Sequence, residues 1–171
     1  MQIVLLGYMG SGKSTVGCLL ANDLNLDFID LDAYIEAEEE KTISSIFGKE
    51  GEIYFRKKEA KSLREILKSK DDFVLSIGGG TPCYANNMKA ISDSTANVFY
   101  LKVTIEELVS RLSKEKQERP LIKDIADQEL PEFIGKHLFE RSFFYNQAFH
   151  KVSCGAKSAF EVVAEIKLIL S

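Results

Sequence analysis

Ile3-Val4-Leu5-Leu6-Gly7-Tyr8-Met9-Gly10-Ser11-Gly12-Lys13-Ser14 opens the chain with an apolar run, a glycine-rich turn and a lysine–serine pair. Residues 7–14 match G-x-x-x-x-G-K-S in full, and the setting matches too, with a buried strand before and a helix pattern from about Lys13 to Leu24 after. Glycines let the backbone turn so that its N–H groups face inward, where they cradle phosphate oxygens. The following helix adds the partial positive charge of its N-terminus. Gly10, Ser11, Gly12, Lys13, Ser14 and Thr15 are thus candidate ATP-binding residues. Lys13 is expected to reach the β- and γ-phosphates, and the Ser14 hydroxyl to ligate Mg²⁺.

Working outward, short apolar runs recur at long intervals. Phe28-Ile29-Asp30, Phe73-Val74-Leu75-Ser76-Ile77, Val98-Phe99-Tyr100-Leu101 and a weaker Lys151-Val152-Ser153 are separated by helix-like sequence. Runs this short, flanked by helices, indicate a parallel sheet covered on both faces. The fold class is α/β, and residues 1–171 read as a single domain, since no linker or repeat divides them.

With 171 residues, 45% hydrophobic and 28% charged, the chain has ordinary globular composition. A net charge of -4 and a pI near 5.3 argue against a nucleic-acid partner. Cys18, Cys83 and Cys154 are an odd number without metal-ligand spacing, which argues against a disulfide framework or zinc site. Met1–Leu6 is too short for a signal peptide, and no apolar run approaches the roughly 20 residues of a membrane span. The expectation is a cytoplasmic protein, monomeric by default, with no membrane partner.

Two arginines interrupt apolar helical stripes. Arg56 shares a face with Ala60, Leu63 and Leu67, and Arg141 lies in the stripe Ile134, Leu138, Tyr145, Ala148. A guanidinium among apolar neighbours costs several kcal/mol without an anion. Each therefore needs an internal acid, a route to solvent or an anionic ligand, and two together favour a shared ligand. Asp30 and Asp32 end the second strand at the carboxyl edge of the sheet, where open α/β proteins bind ligands. If the extended geometry persists they point the same way. Asp30 is a candidate for Mg²⁺, through water, and Asp32 for accepting a proton from a hydroxyl; Asp32 could instead cap the next helix, expected near Ala33. No N-K-x-D occurs, so a GTPase-type switch is disfavoured, and the third strand ends in Ser76-Ile77-Gly78-Gly79-Gly80 rather than in the acids of motor ATPases.

At this point the ordered blocks resemble shikimate kinases. They are the phosphate loop from Gly7 to Gly17, Asp30-Leu31-Asp32, Gly51-Glu52 with Phe55-Arg56, and Gly78-Gly79-Gly80. Arg119-Pro120-Leu121 and Glu140-Arg141 with Tyr145 and Ala148 complete the set. The resemblance implies a three-layer α/β/α fold with a central five-stranded parallel sheet, of the nucleoside monophosphate kinase type of P-loop NTPase. It implies an acceptor region at about 32–62 and a lid at about 111–125. It further implies transfer of the γ-phosphoryl of ATP to the 3-hydroxyl of shikimate, with Asp32, Lys13 and Arg119 catalytic. Arg56, Arg141, Asp32, Gly78, Gly79 and Gly80 would hold the acceptor, and Arg119 would also contact ATP. Arg111 and the loop Ser153-Cys154-Gly155 are left open as adenine contacts, and His137 and His150 are expected to be structural. Another small-metabolite kinase such as gluconate kinase, a nucleoside monophosphate kinase and a non-catalytic nucleotide binder remain the alternatives.

Overall fold

The computed structural model describes residues 1–69 and 71–171. Five strands, β1 (Gln2–Leu6), β2 (Asp27–Asp30), β3 (Phe73–Ser76), β4 (Val98–Lys102) and β5 (His150–Ser153), form one parallel sheet in the order β2-β3-β1-β4-β5. Helices α1 (Lys13–Leu24), α2 (Leu31–Glu39), α3 (Ile43–Lys68), α4 (Asn87–Ser94), α5 (Ile105–Glu115), α6 (Leu130–Tyr145) and α7 (Ala159–Leu170) follow and precede the strands. The strands are unbroken apolar runs because both faces are covered, and Ile3, Val4, Leu5, Leu6, Val74, Leu75, Val98 and Phe99 are all fully buried.

The register decides where the chemistry sits. Leu5 of β1 and Asp30 of β2 both pair with Ser76 of β3. The loops leaving β1, β2 and β3 therefore emerge side by side, carrying the phosphate motif, the aspartates and the glycine triplet. Helix α1 starts at once, with Gly12 as its N-cap at φ 90°. It lies close on β2 because position 17 is glycine, where a Cβ would stand 2.4 Å from the Phe28 ring.

Several expected boundaries move. Helix α2 begins at Leu31, not near Ala33, and the extended geometry does not persist to Asp32. The helix that carries Arg56, α3, starts at Ile43 and is broken at Gly51, whose φ of 84° and ψ of 172° lie outside helical values. Helix α6 stops at Tyr145, so Ala148 joins the core from beyond its end. No described helix is long and apolar enough to cross a membrane.

Candidate functional site

The sheet edge opens into adjoining hollows. One, of about 390 Å³, is lined by Gly10, Gly12, Lys13, Ser14, Thr15, Asp30, Asp32 and Arg119, with Arg111 and Glu115 at its rim. The second, of about 310 Å³, is lined by Arg56, Glu59, Arg141, Phe47, Phe55, Pro120 and Leu121. Met9, Asp32, Gly78, Gly79 and Arg119 line both, so the hollows meet at those residues. A third recess of about 200 Å³ runs from Ser11 and Thr15 past Arg111 to Cys154 and Lys157.

In the phosphate loop, Lys13 Nζ donates to the carbonyls of Gly7 at 2.9 Å and Tyr8 at 3.0 Å, bracing the turn. Burial lowers its pKa to about 8, opposed by the nearby Asp32 and Asp30 carboxylates. Ser14 Oγ donates to Asp30 Oδ2 at 2.9 Å. The other oxygen of Asp30 accepts the backbone N–H groups of Asp32 and Ala33 at 3.1 and 3.2 Å. Asp30, rather than Asp32, therefore caps α2, and Asp32 is left without a capping duty. Burial is the main cause that raises the Asp32 pKa to about 6; the Asp30 and Glu59 carboxylates add to it and Lys13 opposes it.

The serine–aspartate pair offers hard oxygen donors beside the lysine, which fits a magnesium ion. No cluster of three or more acidic, histidine or cysteine side chains able to hold a metal occurs among the described residues. This also fits Mg²⁺, which takes few protein ligands and completes its shell with water and phosphate oxygens.

The glycine triplet is a spacing device, and each member faces a different functional group. A Cβ at Gly78 would lie 3.4 Å from Asp32 Oδ1 and 3.6 Å from Glu59 Oε1. At Gly79 it would lie 2.9 Å from Arg141 Nη1, and at Gly80 2.8 Å from Arg56 Nη2. Side chains there would push both guanidinium groups outward. Tyr145, fully buried, fixes the loop by donating from its hydroxyl to Gly79 O at 2.6 Å.

The two arginines differ in a way the stripes did not reveal. Arg56 Nη1 donates to Glu59 Oε2 at 2.8 Å, and Arg56 also lies 4.0 Å from the centroid of the Tyr84 ring. Glu59, 1% exposed, accepts in addition from Thr81 Oγ1 at 2.6 Å. The network continues through Asn87, which donates to Thr81 O, to Arg64, which donates to Asn87 Oδ1 at 2.9 Å. Arg141 has no carboxylate within ion-pair distance among the described residues; its guanidinium lies over the Tyr8 ring at 5.6 Å. Thus Arg56 carries an internal partner while facing the second hollow, and Arg141 faces it uncompensated. Glu59 was missed from sequence because an acid among many in a helix carries no motif; its spacing of three residues from Arg56 was the available signal.

Arg119 follows a 3-10 turn (Lys116–Glu118) at the end of α5 and is held by Glu115 Oε2 through Nε at 2.9 Å and Nη2 at 2.5 Å. The expected lid segment is anchored by Ile122, which is fully buried. Arg111 lines both the phosphate hollow and the third recess. It donates to Gly10 O at 3.1 Å, Gly155 O at 3.2 Å and Glu107 Oε1 at 2.6 Å, tying the phosphate loop to the segment after β5. Cys154 is buried, as a packing residue should be, and His150 stacks on Phe99 at 4.7 Å.

A parallel sheet with a phosphate loop after its first strand, an adjoining acidic edge and a second, cation-lined hollow defines a P-loop kinase of small molecules. The family model for shikimate kinase matches residues 9–170, and the chain belongs to the shikimate kinase family. It is an enzyme, a phosphotransferase with ATP as co-substrate. It is 45% identical over 169 residues to the shikimate kinase of Flavobacterium psychrophilum, covering 99% of this chain and 98% of that one. The crystal structure of the shikimate kinase of Bacteroides thetaiotaomicron superimposes with a TM-score of 0.92 at 36% identity, covering 99% of this chain and 98% of that one. A shikimate kinase from Acinetobacter baumannii in complex with shikimate superimposes with a TM-score of 0.88 at 33% identity, covering 99% and 92%.

Proposed function

We propose that this chain transfers the γ-phosphoryl of ATP to the 3-hydroxyl of shikimate, giving shikimate 3-phosphate and ADP on the route to chorismate and the aromatic amino acids. The observation that carries this reading is the meeting of the two hollows at Asp32, Gly78, Gly79 and Arg119, with Arg56 and Arg141 on the far side. ATP phosphates occupy the hollow of Lys13 and the loop residues Gly10, Ser11, Gly12, Ser14 and Thr15. The acceptor carboxylate lies between Arg56 and Arg141, where charge-assisted bonds compensate the Arg141 guanidinium, which has no acid partner among the described residues. Its ring packs against Gly78, Gly79 and Gly80, with Phe47 and Phe55 as apolar walls.

Asp32 orients the acceptor hydroxyl and takes its proton as the oxygen–phosphorus bond forms and the β–γ bridge breaks. Lys13 and Arg119 stabilise the negative charge that spreads over the transferring group. Ser14 and Asp30, the latter through water, are the residues to hold Mg²⁺, which when bound supplies neutralising charge at the phosphate oxygens. Arg119, Pro120 and Leu121 cover the junction and exclude water, which would otherwise compete as acceptor. Residues 1–171 act as one domain, with the acceptor region at about 32–62 and the lid at about 111–125, in a cytoplasmic monomer.

ADP release coupled to a recording enzyme, run with shikimate, gluconate, AMP and CMP, tests the proposal. Turnover is expected with shikimate. Gluconate-supported turnover without shikimate turnover makes the chain a different sugar-acid kinase, AMP or CMP turnover makes it a nucleotide kinase, and ATP binding without acceptor-dependent turnover removes catalysis.

A further inference from the structure

Tyr8 occupies a variable position of the phosphate motif, yet its side chain is only 2% exposed and points away from the phosphate hollow. Its hydroxyl meets Nδ1 of His137 on α6 at 3.0 Å, with the rings edge-on at 5.5 Å and 85°. Behind the imidazole lies the Phe133 ring at 5.4 Å. One helical turn beyond His137 is Arg141, whose guanidinium carbon lies 5.6 Å from the Tyr8 ring centroid. The tyrosine therefore touches the acceptor helix at both ends: its hydroxyl on His137 and its ring on Arg141.

The charged groups facing His137 are Arg141 and Glu140 of its own helix, and Tyr8 is the titratable group from the phosphate loop. Burial, then Arg141, holds the imidazole below its ordinary pKa, and burial pushes the Tyr8 phenol up to about 12. Both groups are neutral at working pH. The phenol then donates, Nδ1 accepts, and the imidazole proton sits on Nε2. Arg141 also sits beside the buried Tyr145 hydroxyl next to Gly79, while no carboxylate lies within ion-pair distance of it among the described residues.

We propose that His137 is a positioning residue for the acceptor. Its hydrogen bond to Tyr8 fixes the spacing between the phosphate loop and α6, and so places Arg141 for the acceptor carboxylate. This inference rests on the carboxylate role given to Arg141 above. His137 touches no reacting atom, so its loss should act on acceptor KM rather than on kcat or ATP KM.

The experiment compares His137→Leu, His137→Asn, Tyr8→Phe, the Tyr8→Phe/His137→Leu double variant and Arg141→Lys in the full-length protein, with shikimate as acceptor. Asparagine can put its amide oxygen where Nδ1 lies, whereas leucine fills the space without an acceptor. A hydrogen bond of ordinary worth predicts that His137→Leu and Tyr8→Phe each raise acceptor KM about five-fold, with kcat and ATP KM within about two-fold of wild type. The double variant should be no worse than either single one, because both remove the same bond. His137→Asn should recover most of the lost affinity. Tyr8→Phe removes one oxygen from a packed ring, so it reports even if His137→Leu folds poorly. Equal defects in His137→Asn and His137→Leu, additive effects in the double variant, or parallel changes in ATP KM and kcat overturn the positioning role. An unchanged acceptor KM in Arg141→Lys overturns the carboxylate reading itself, separately from that of His137.

Discussion

Glu59 grips Arg56 from within the same helix, its Oε2 2.8 Å from Nη1, at a position 1% exposed to solvent. The pair explains how a guanidinium tolerates an apolar face before any ligand arrives. Its second oxygen is committed to Thr81 at 2.6 Å, so the carboxylate also ties α3 to the segment that follows the glycine triplet. Removing the acid would strand the buried Thr81 hydroxyl and leave the partly exposed Arg56 guanidinium with Glu52 at 3.6 Å as its remaining carboxylate. Glu59→Ala is therefore expected to lower unfolding stability by about 1–3 kcal/mol, measured by urea denaturation. A loss below 1 kcal/mol would mean that the pair is no more important than a surface ion pair.

Asp32 should set the acid limb of the pH profile. It must be ionised to accept a proton, and its pKa stands at about 6, raised chiefly by burial. kcat/KM for the acceptor is expected to fall as pH drops through about 6, and a limb near 4, where an unperturbed aspartate titrates, would exclude Asp32 as the base.

The same shift carries a stability signature of opposite sign to its catalytic value. The folded pKa lies above that of the unfolded chain, so between the two values the folded state binds more protons and stability falls as pH rises. The penalty is full above about 6 and absent below the unfolded pKa. Asp32→Asn should therefore remove most of kcat, leave ATP affinity nearly intact, and stabilise the unliganded protein at pH 8 by about 1–3 kcal/mol. The gain should disappear in thermal melts toward pH 4.

Arg141 and Gly79 stand side by side in the wall of the second hollow. Gly79→Ala would set a methyl 2.9 Å from Arg141 Nη1 and 3.4 Å from the Gly7 carbonyl, which is backbone and cannot swing aside. Acceptor KM should rise by about ten-fold or more. Arg141→Lys should also raise it, because a point ammonium cannot reproduce a bidentate fork. Initial-rate kinetics at saturating ATP measure both effects.

Chelation should separate catalysis from folding. Ser14 and Asp30, the residues proposed to hold magnesium, bond each other at 2.9 Å. EDTA is expected to abolish turnover while leaving the melting temperature of the unliganded protein unchanged; a fall in melting temperature would assign the metal a structural role.

The phosphate loop, the alternation of buried strands with helices and the two stripe-breaking arginines were legible because each depends on neighbours in the chain. A glycine-rich turn between an apolar run and a helix start is a local conformational statement, and the strands read as continuous apolar runs because both their faces are covered. Asp30 and Asp32 were singled out together, but not which of them caps α2. Which of them caps a helix depends on where the extended backbone ends, and that is Asp30, one residue before the first turn of α2.

The partners of Arg56 and Arg141, the engagement of Arg111 with Gly10 and Gly155, and the contact between Tyr8 and His137 lay beyond the reach of the sequence. Tyr8 and His137 are separated by 129 positions, and Arg111 and Gly10 by 101. Chain order alone determined that a nucleotide-type phosphate site stands at the first strand and that cations and acids gather on the acceptor side. Tertiary packing decided which of those charges is already neutralised within the protein and which is left facing the hollow, because Coulomb and hydrogen-bond energies depend on distance and desolvation, quantities that exist only once the loops of β1, β2 and β3 have been brought to one edge of the sheet.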